Sequence, residues 1–147
     1  MDAISLLAWK DAVAIQNISL SADQISLNLF TTAPMAHCPQ CGLPSDNIHS
    51  RYERKVADLP WAGMYVNIVL KVRRFFCDSK DCNQKTFAER LQTVPRYGRR
   101  TQRMQHQLTQ LAGQLGGRPG AKLASLLGMS VSFRTLPGGG HLDCFLN

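Results

Sequence analysis

Four cysteines stand in two pairs, Cys38-Pro-Gln-Cys41 and Cys77-Asp-Ser-Lys-Asp-Cys82. The chemistry this spacing suits is tetrahedral metal binding. Zn²⁺ takes four ligands, thiolate sulfur matches its borderline-soft character, and each short pair can grip one ion from a single tight turn. Pro39 and Gly42 supply turn chemistry around the first pair. The expected cofactor is one structural Zn²⁺ held by Cys38, Cys41, Cys77 and Cys82, contributing folding free energy to a region with little core of its own. Two other chemistries compete. A lone C-x-x-C can be a redox pair, but that motif sits in a βαβ setting, whereas here a second pair exists and the surroundings are basic and strand-like. Two disulfides would need an oxidising compartment, and nothing points to export: Asp2 stands where a basic n-region belongs, and the apolar stretch at residues 4–9 is too short. His37 and His49 lie near enough to replace a cysteine in a mixed site, and Cys144 reads as a bystander.

The elements that must bring the pairs together are β. Residues 42–76 separate them, enough for a hairpin that returns the second pair over the first. Val66–Phe76 is the clearest strand: Val66, Ile68, Leu70 and Val72 fall on one face, Asn67, Val69, Lys71 and Arg73 on the other. It runs straight into Cys77. Upstream, Val13, Ile15 and Ile18 lead to Leu20. A Ser-Ala-Asp-Gln turn follows, and Ile25, Leu27 and Leu29 then alternate with Ser26, Asn28 and Phe30. That predicts a hairpin entering the first cysteine turn. Residues 50–60 are polar and charged and read as irregular or short-stranded. Leu59-Pro60-Trp61-Ala62-Gly63 is a sharp break, with Trp61 a hydrophobic plug under the ribbon or, less simply, a base-stacking residue.

The chain has 147 residues, one ordinary domain or two small ones, and an apolar fraction of 44% that argues against wholesale disorder. The net charge of +7 is uneven. Residues 1–50 hold one base and four acids, a balance of −3; residues 51–147 hold sixteen bases and six acids, a balance of +10. Residues 90–122 contain seven bases (Arg90, Arg96, Arg99, Arg100, Arg103, Arg118 and Lys122) and no acid. Random surfaces mix signs. An acid-free run of this length points to a polyanion, nucleic acid above all, although a solvated basic face is the plainer fate of such runs. No run approaches the length of a membrane span, so no membrane partner is expected.

Within this basic segment the pattern becomes helical. Pro95 and Gly98 mark a linker and Thr101 is a natural N-cap. Met104, Leu108, Leu111 and Leu115 follow at i, i+4, i+7 and i+11, and Gly116-Gly117 stops the helix. A second helix starts near Pro119, with Ala121, Leu123, Ala124 and Leu127 as its apolar face, and Gly128-Met129-Ser130 makes a tight turn. Val131-Ser132 opening a further helix completes the outline of a helix-turn-helix, which a bare helical hairpin would share. Pro137-Gly138-Gly139-Gly140 then cuts the third helix after about one turn. No catalytic constellation emerges: Asp58, Asp78, Asp81 and Glu89 can be imagined as a carboxylate set, but Asp78 and Asp81 lie inside the second cysteine turn and read as solvent-facing.

Taken in order, Cys38-Pro-x-Cys41-Gly42, His49-Ser50-Arg51-Tyr52-x-Arg54, Ala57-Asp58-Leu59-Pro60-Trp61-x-Gly63, Val72-Arg73-Arg74-Phe75-Phe76-Cys77 and Phe87-Ala88-Glu89-Arg90-Leu91 resemble the N-terminal zinc-finger region of the ISL-three family of bacterial insertion-sequence transposases. Leu115-Gly116-Gly117-x-x-Gly120-Ala121-x-Leu123-Ala124, Leu127-Gly128 and Val131-Ser132 resemble the helix-turn-helix that follows there, so the likeness spans about residues 13–135. The resemblance implies an α+β chain: a small β-rich zinc ribbon over residues 1–91, a basic linker and truncated helix-turn-helix over 92–136, and an irregular tail over 137–147. In the family a large catalytic domain with an Asp-Asp-Glu triad follows; here the likeness stops within the recognition helix, so no enzyme activity is expected. The expected function is a cytoplasmic, nucleoid-associated fragment that binds double-stranded DNA at insertion-sequence ends. Its expected contacts are Arg73, Arg74, Arg96, Arg99, Arg100, Arg103, Arg118 and Lys122 to phosphate, with Ser132, Arg134 and Thr135 as base readers. The alternatives are a stand-alone zinc-ribbon module for RNA or protein and, further off, a redox or metal-handling enzyme.

Overall fold

The computed structural model describes residues 9–131 together with Arg134 and Leu136. It is a mixed α+β chain, mostly strand, with two helices among the described residues. Seven strands come first: β1 (Val13–Leu20), β2 (Gln24–Thr31), β3 (Ala36–His37), β4 (Pro44–Ser45), β5 (Ile48–Trp61), β6 (Met64–Phe76) and β7 (Thr86–Ala88). Helices α1 (Gln102–Leu115) and α2 (Gly117–Leu126) follow. The main sheet runs β1-β2-β6-β5. The β1–β2 and β5–β6 pairs are antiparallel, β2 lies parallel to β6, and β7 pairs with the far end of β6.

Period-two patterning decides which face is buried. Ile25, Leu27 and Leu29 of β2 sit opposite Val66, Ile68 and Leu70 of β6, and all six are buried with Val56, Val72, Val94 and Trp9. The expected hairpin over residues 13–30 and the expected strand into Cys77 are both present.

Two expectations are corrected. Residues 50–60 are not irregular: they form most of the fourteen-residue β5. This strand is an edge of the sheet, and its exposed Arg51, Glu53 and Lys55 are the charges that keep an edge from pairing with another chain. The charges that make it look unlike a strand are those an edge strand uses. Nor is Trp61 a plug. It pairs with Met64 across a two-residue turn, Ala62-Gly63, in which both residues have positive φ, and it is 55% exposed at the hairpin tip.

The helices form a second core against the tip end of that hairpin, away from the cysteines. Met104, Leu108, Ala121, Ala124, Met129 and Leu136 are buried together, and Ala57, Leu59, Leu111 and Val131 pack against them. Thr101 caps α1 as expected, accepting from the Met104 amide at 3.3 Å. Pro119 falls in the first turn of α2, where a missing N–H costs nothing.

The turn after α2 docks on the β5–β6 hairpin. Gly128 has φ +85°, and a Cβ there would lie 3.1 Å from Pro60 Cβ and 3.3 Å from the Gly63 carbonyl oxygen. Left-handed backbone and overpacking penalties act together, so Gly128→Ala should destabilise the chain by about 2 kcal/mol in a urea titration. An unchanged midpoint would mean this docking contributes nothing.

Candidate metal centre and nucleic-acid interface

The four cysteines converge at one end of the sheet. β3 and β4 pair as a two-stranded knuckle, Ala36 opposite Ser45 and His37 opposite Pro44. The Cys38 amide donates to the Leu43 carbonyl at 2.9 Å, and the Gly42 amide to the Cys38 carbonyl at 2.8 Å. These bonds curl residues 38–42 into a loop whose sulfurs face the second knuckle. There, Phe76 ends β6, and the Cys77 amide donates to the Lys85 carbonyl at 2.9 Å. The long β5–β6 hairpin is what returns the second pair to the first. Under the sulfurs lies a small core of Phe75, Phe87 and Ala36, with Ile48 beside it. Phe75 and Phe87 stack with centroids 5.9 Å apart.

All four sulfurs lie within 4.8 Å of one another. Cys38 and Cys82 are 3.9 Å apart, Cys41 and Cys77 3.5 Å. Ligands about 2.3 Å from a shared ion in tetrahedral geometry sit roughly 3.8 Å apart. The separations are therefore those of sulfurs that share an ion, not of bonded sulfurs, and the four thiols are free. The set fits one structural zinc. Neither possible substitute enters it: His37 is exposed, and His49 Nδ1 lies 2.9 Å from Ser50 Oγ with its ring edge-on to Phe76. Cys144 lies outside the described residues.

The thiols differ in readiness to ionise. The Cys41 amide donates to Cys38 and pulls its pKa down to about 7, against a smaller opposing effect of burial. At Cys77 the Ser79 amide pulls downward, but desolvation and the neighbouring sulfurs together prevail and push it up to about 12. Cys82 is raised as well, desolvation and the other sulfurs outweighing the Gln84 amide. Without metal the cluster holds one thiolate easily and resists the next. A divalent cation reverses that balance and displaces the remaining protons.

Of the four carboxylates imagined as a set, Asp78 and Asp81 are exposed, and Asp58 and Glu89 are structural anchors at opposite ends of the sheet. Asp58, 2% exposed, accepts from the Thr101 hydroxyl at 2.6 Å and from Arg103 Nε at 2.7 Å, with a further ion pair to Arg103 Nη2. Glu89 accepts from Arg73 Nη2 at 2.9 Å, from the Arg73 amide at 2.7 Å and from the Thr31 hydroxyl at 2.5 Å. Among the described residues, the four cysteines are the one cluster of three or more His, Cys, Asp or Glu side chains placed to share an ion.

The predicted phosphate-contacting bases divide. Arg73 and Arg103 sit in these ion pairs, and Arg73 also donates to the Ala33 carbonyl at 2.7 Å. Arg74, Arg96, Arg99, Arg118 and Lys122 are exposed, as is Arg134. Arg100 is half-buried beside Ala57 at the β5 edge, and burial lowers its pKa from the ordinary value. Ser132 and Thr135 lie outside the described residues. Two residues that sequence reasoning passed over sit near the exposed bases: Arg54, which donates to the Pro95 and Gly98 carbonyls at 2.9 and 2.7 Å, and Tyr97, which is 83% exposed. The positive φ of Tyr97 leaves no trace in composition or periodicity.

Comparison with known proteins bears on the metal end. Residues 34–82 match the zinc-finger of transposase IS204/IS1001/IS1096/IS1165. The match begins just before β3 and ends on Cys82, so it contains both knuckles and the hairpin that joins them. It contains four of the five separated blocks that carry the resemblance to that family's zinc finger; residues 87–91 and the blocks over 115–132 lie beyond it. No curated protein and no solved structure matches the chain. Among the described residues no helix is long and apolar enough to cross a membrane.

Proposed function

We propose that this chain is a transposase-derived DNA-binding module, a zinc ribbon joined to a helix-turn-helix, that engages insertion-sequence ends electrostatically and without catalysing strand cleavage. The observation that carries this reading is the pairing of a four-cysteine centre inside a matched transposase zinc finger with an acid-free basic run directly after it. In this reading α1 and α2 lead to a recognition helix opened by Val131 and Ser132. The return of Val131 and Leu136 to the helical core supports it. Arg74, Arg96, Arg99, Arg100, Arg118 and Lys122 neutralise phosphates, and Ser132, Arg134 and Thr135 are the readers of base edges. Arg73 and Arg103 serve indirectly, holding the segments that carry the others. Pro137, outside the described residues, is expected from the sequence to shorten the recognition helix, so little sequence discrimination is expected. The ribbon's contribution is a rigid frame: zinc fixes β7, and β7 fixes the start of the basic segment through Glu89 and Arg73.

The test is the salt dependence of duplex binding. Each phosphate neutralised contributes about −0.9 to the slope of log affinity against log salt. Arg99→Ala with Arg100→Ala should weaken binding to every duplex alike and flatten that slope by about one to two units. A chain that binds one inverted repeat about a thousandfold better than random DNA, the level of intact specific binders, would contradict the shortened-helix reading. A preference for structured RNA over duplex DNA would favour a stand-alone RNA-binding ribbon.

A further inference from the structure

A cleft of about 830 Å³ opens between the β5–β6 surface and the segment joining β7 to α1. Tyr52 and Arg74 lie on its sheet side, and Arg90, Arg96 and Tyr97 on the opposite wall. Its one acid, Glu89, is already neutralised by Arg73 at 2.9 Å. The cleft is thus a cationic space with aromatic residues in its lining, of a size that suits a small ligand rather than a duplex.

The Tyr97 wall is built at a cost. Residues 95–98 form a tight turn closed by the Gly98 amide donating to the Pro95 carbonyl at 2.9 Å. Tyr97 occupies its third position with φ +62°, where such turns take glycine or asparagine. Arg54 clamps the turn from the sheet through both the Pro95 and Gly98 carbonyls. The side chain gains little packing in return for the strained backbone: Tyr97 is 83% exposed, and the Arg96 guanidinium stacks 4.9 Å from its ring centroid. Strain that the fold holds in place without burying the side chain points to a ring presented for a ligand.

We propose that this cleft binds one unpaired nucleotide of a DNA strand, its phosphate held by Arg74, Arg90 and Arg96 and its base stacked on Tyr97. The proposal rests on the DNA-binding reading above and deepens it by naming a site for a single strand beside the duplex-contacting bases. Stacking needs the face of a base. A duplex hides that face and an unpaired nucleotide offers it.

Binding of a fluorescein-labelled short oligothymidylate and of a blunt duplex to the zinc-loaded full chain, followed by anisotropy at one salt concentration, tests this. Tyr97→Ala should weaken oligothymidylate binding about tenfold, the range of one lost base stack, and leave the blunt duplex unchanged. Tyr97→Phe keeps the ring and should match the parent. Tyr97→Gly should lose the same tenfold yet unfold no earlier than the parent in a thermal melt, because glycine relieves the left-handed backbone. Equal oligothymidylate affinity for the parent and Tyr97→Ala overturns the proposal, as does an equal loss on both DNAs. If the parent binds the duplex with the expected salt slope but Tyr97 does not matter, the cleft proposal alone falls. If the parent binds neither DNA, the DNA-binding reading falls with it.

Discussion

Cys82→Ser should abolish stoichiometric zinc binding and unfold the metal end of the sheet while leaving the rest of the strands paired. Cys82 is 5% exposed, 3.9 Å from Cys38, and belongs to the small core beneath the sulfurs. That core rests on Phe75, Phe87 and Ala36, too few residues to hold two knuckles by burial alone. Structural zinc sites supply on the order of 10–16 kcal/mol of apparent binding free energy in peptides at neutral pH. Loss of one of four ligands removes most of it. Metal analysis should show about one zinc per parent chain and almost none in the variant. Amide exchange should accelerate over residues 36–48 and 76–88 and stay slow in β2 and the paired part of β6, whose own core of Ile25, Leu27, Leu29, Ile68 and Leu70 is independent of the metal. Acid should reproduce the effect in the parent. Protons compete with zinc for thiolates, and only Cys38 is drawn down toward neutrality while Cys77 and Cys82 are pushed up. The apparent zinc affinity should therefore fall steadily as the pH drops and recover as it rises.

Asp58→Ala should cost about 3 kcal/mol and detach the helices from the sheet. The Asp58 side chain is fully enclosed and satisfies the Thr101 hydroxyl and the Arg103 fork at once. Thr101 in turn caps α1. Removing the carboxylate takes the buried ion pair from Arg103 and the acceptor from the Thr101 hydroxyl, and breaking a buried pair from one side is costly. The estimate is set at the low end of that range because the Arg103 side chain is 33% exposed and water can reach it. Asp58→Asn keeps an acceptor for Thr101 and should lose less. Urea titrations of the two variants give the comparison. Equal and small losses would show that the backbone bonds between Ala57 and residues 99 and 101 hold α1 by themselves.

The parts of this molecule that sequence made legible are those fixed by local chemistry. Ligand spacing names the zinc site because each knuckle is a tight turn within a few residues. Alternation names β2 and β6 because one face of each is buried. Thr101 is recognisable as a cap because the helical stripe begins just after it. What stayed hidden depends on distant partners. Arg73 and Arg103 look like free phosphate ligands in a basic sequence, and only the fold brings Glu89 and Asp58, 16 and 45 residues away, against them. β5 carries the charges of an edge, so its pattern reads as loop until β6 is laid beside it. Trp61, set between Pro60 and Ala62-Gly63, reads as buried until the hairpin register places it at the tip. The helix expected from Val131 onward falls largely outside the described residues, so the proposed helix-turn-helix has only α1, α2 and the Gly128 turn to support it.

The most direct test of a zinc-framed DNA-binding module is a single anisotropy titration of labelled duplex at low salt with the same protein sample before and after zinc is removed by a chelator. Zinc holds the knuckles, β7 continues from the second knuckle, and Glu89 after β7 anchors the basic segment to β6. The account predicts tight, salt-sensitive binding by the loaded chain, a loss of tenfold or more after chelation, and recovery when zinc is returned. Equal binding by loaded and stripped protein, or no binding by the loaded chain, would contradict it.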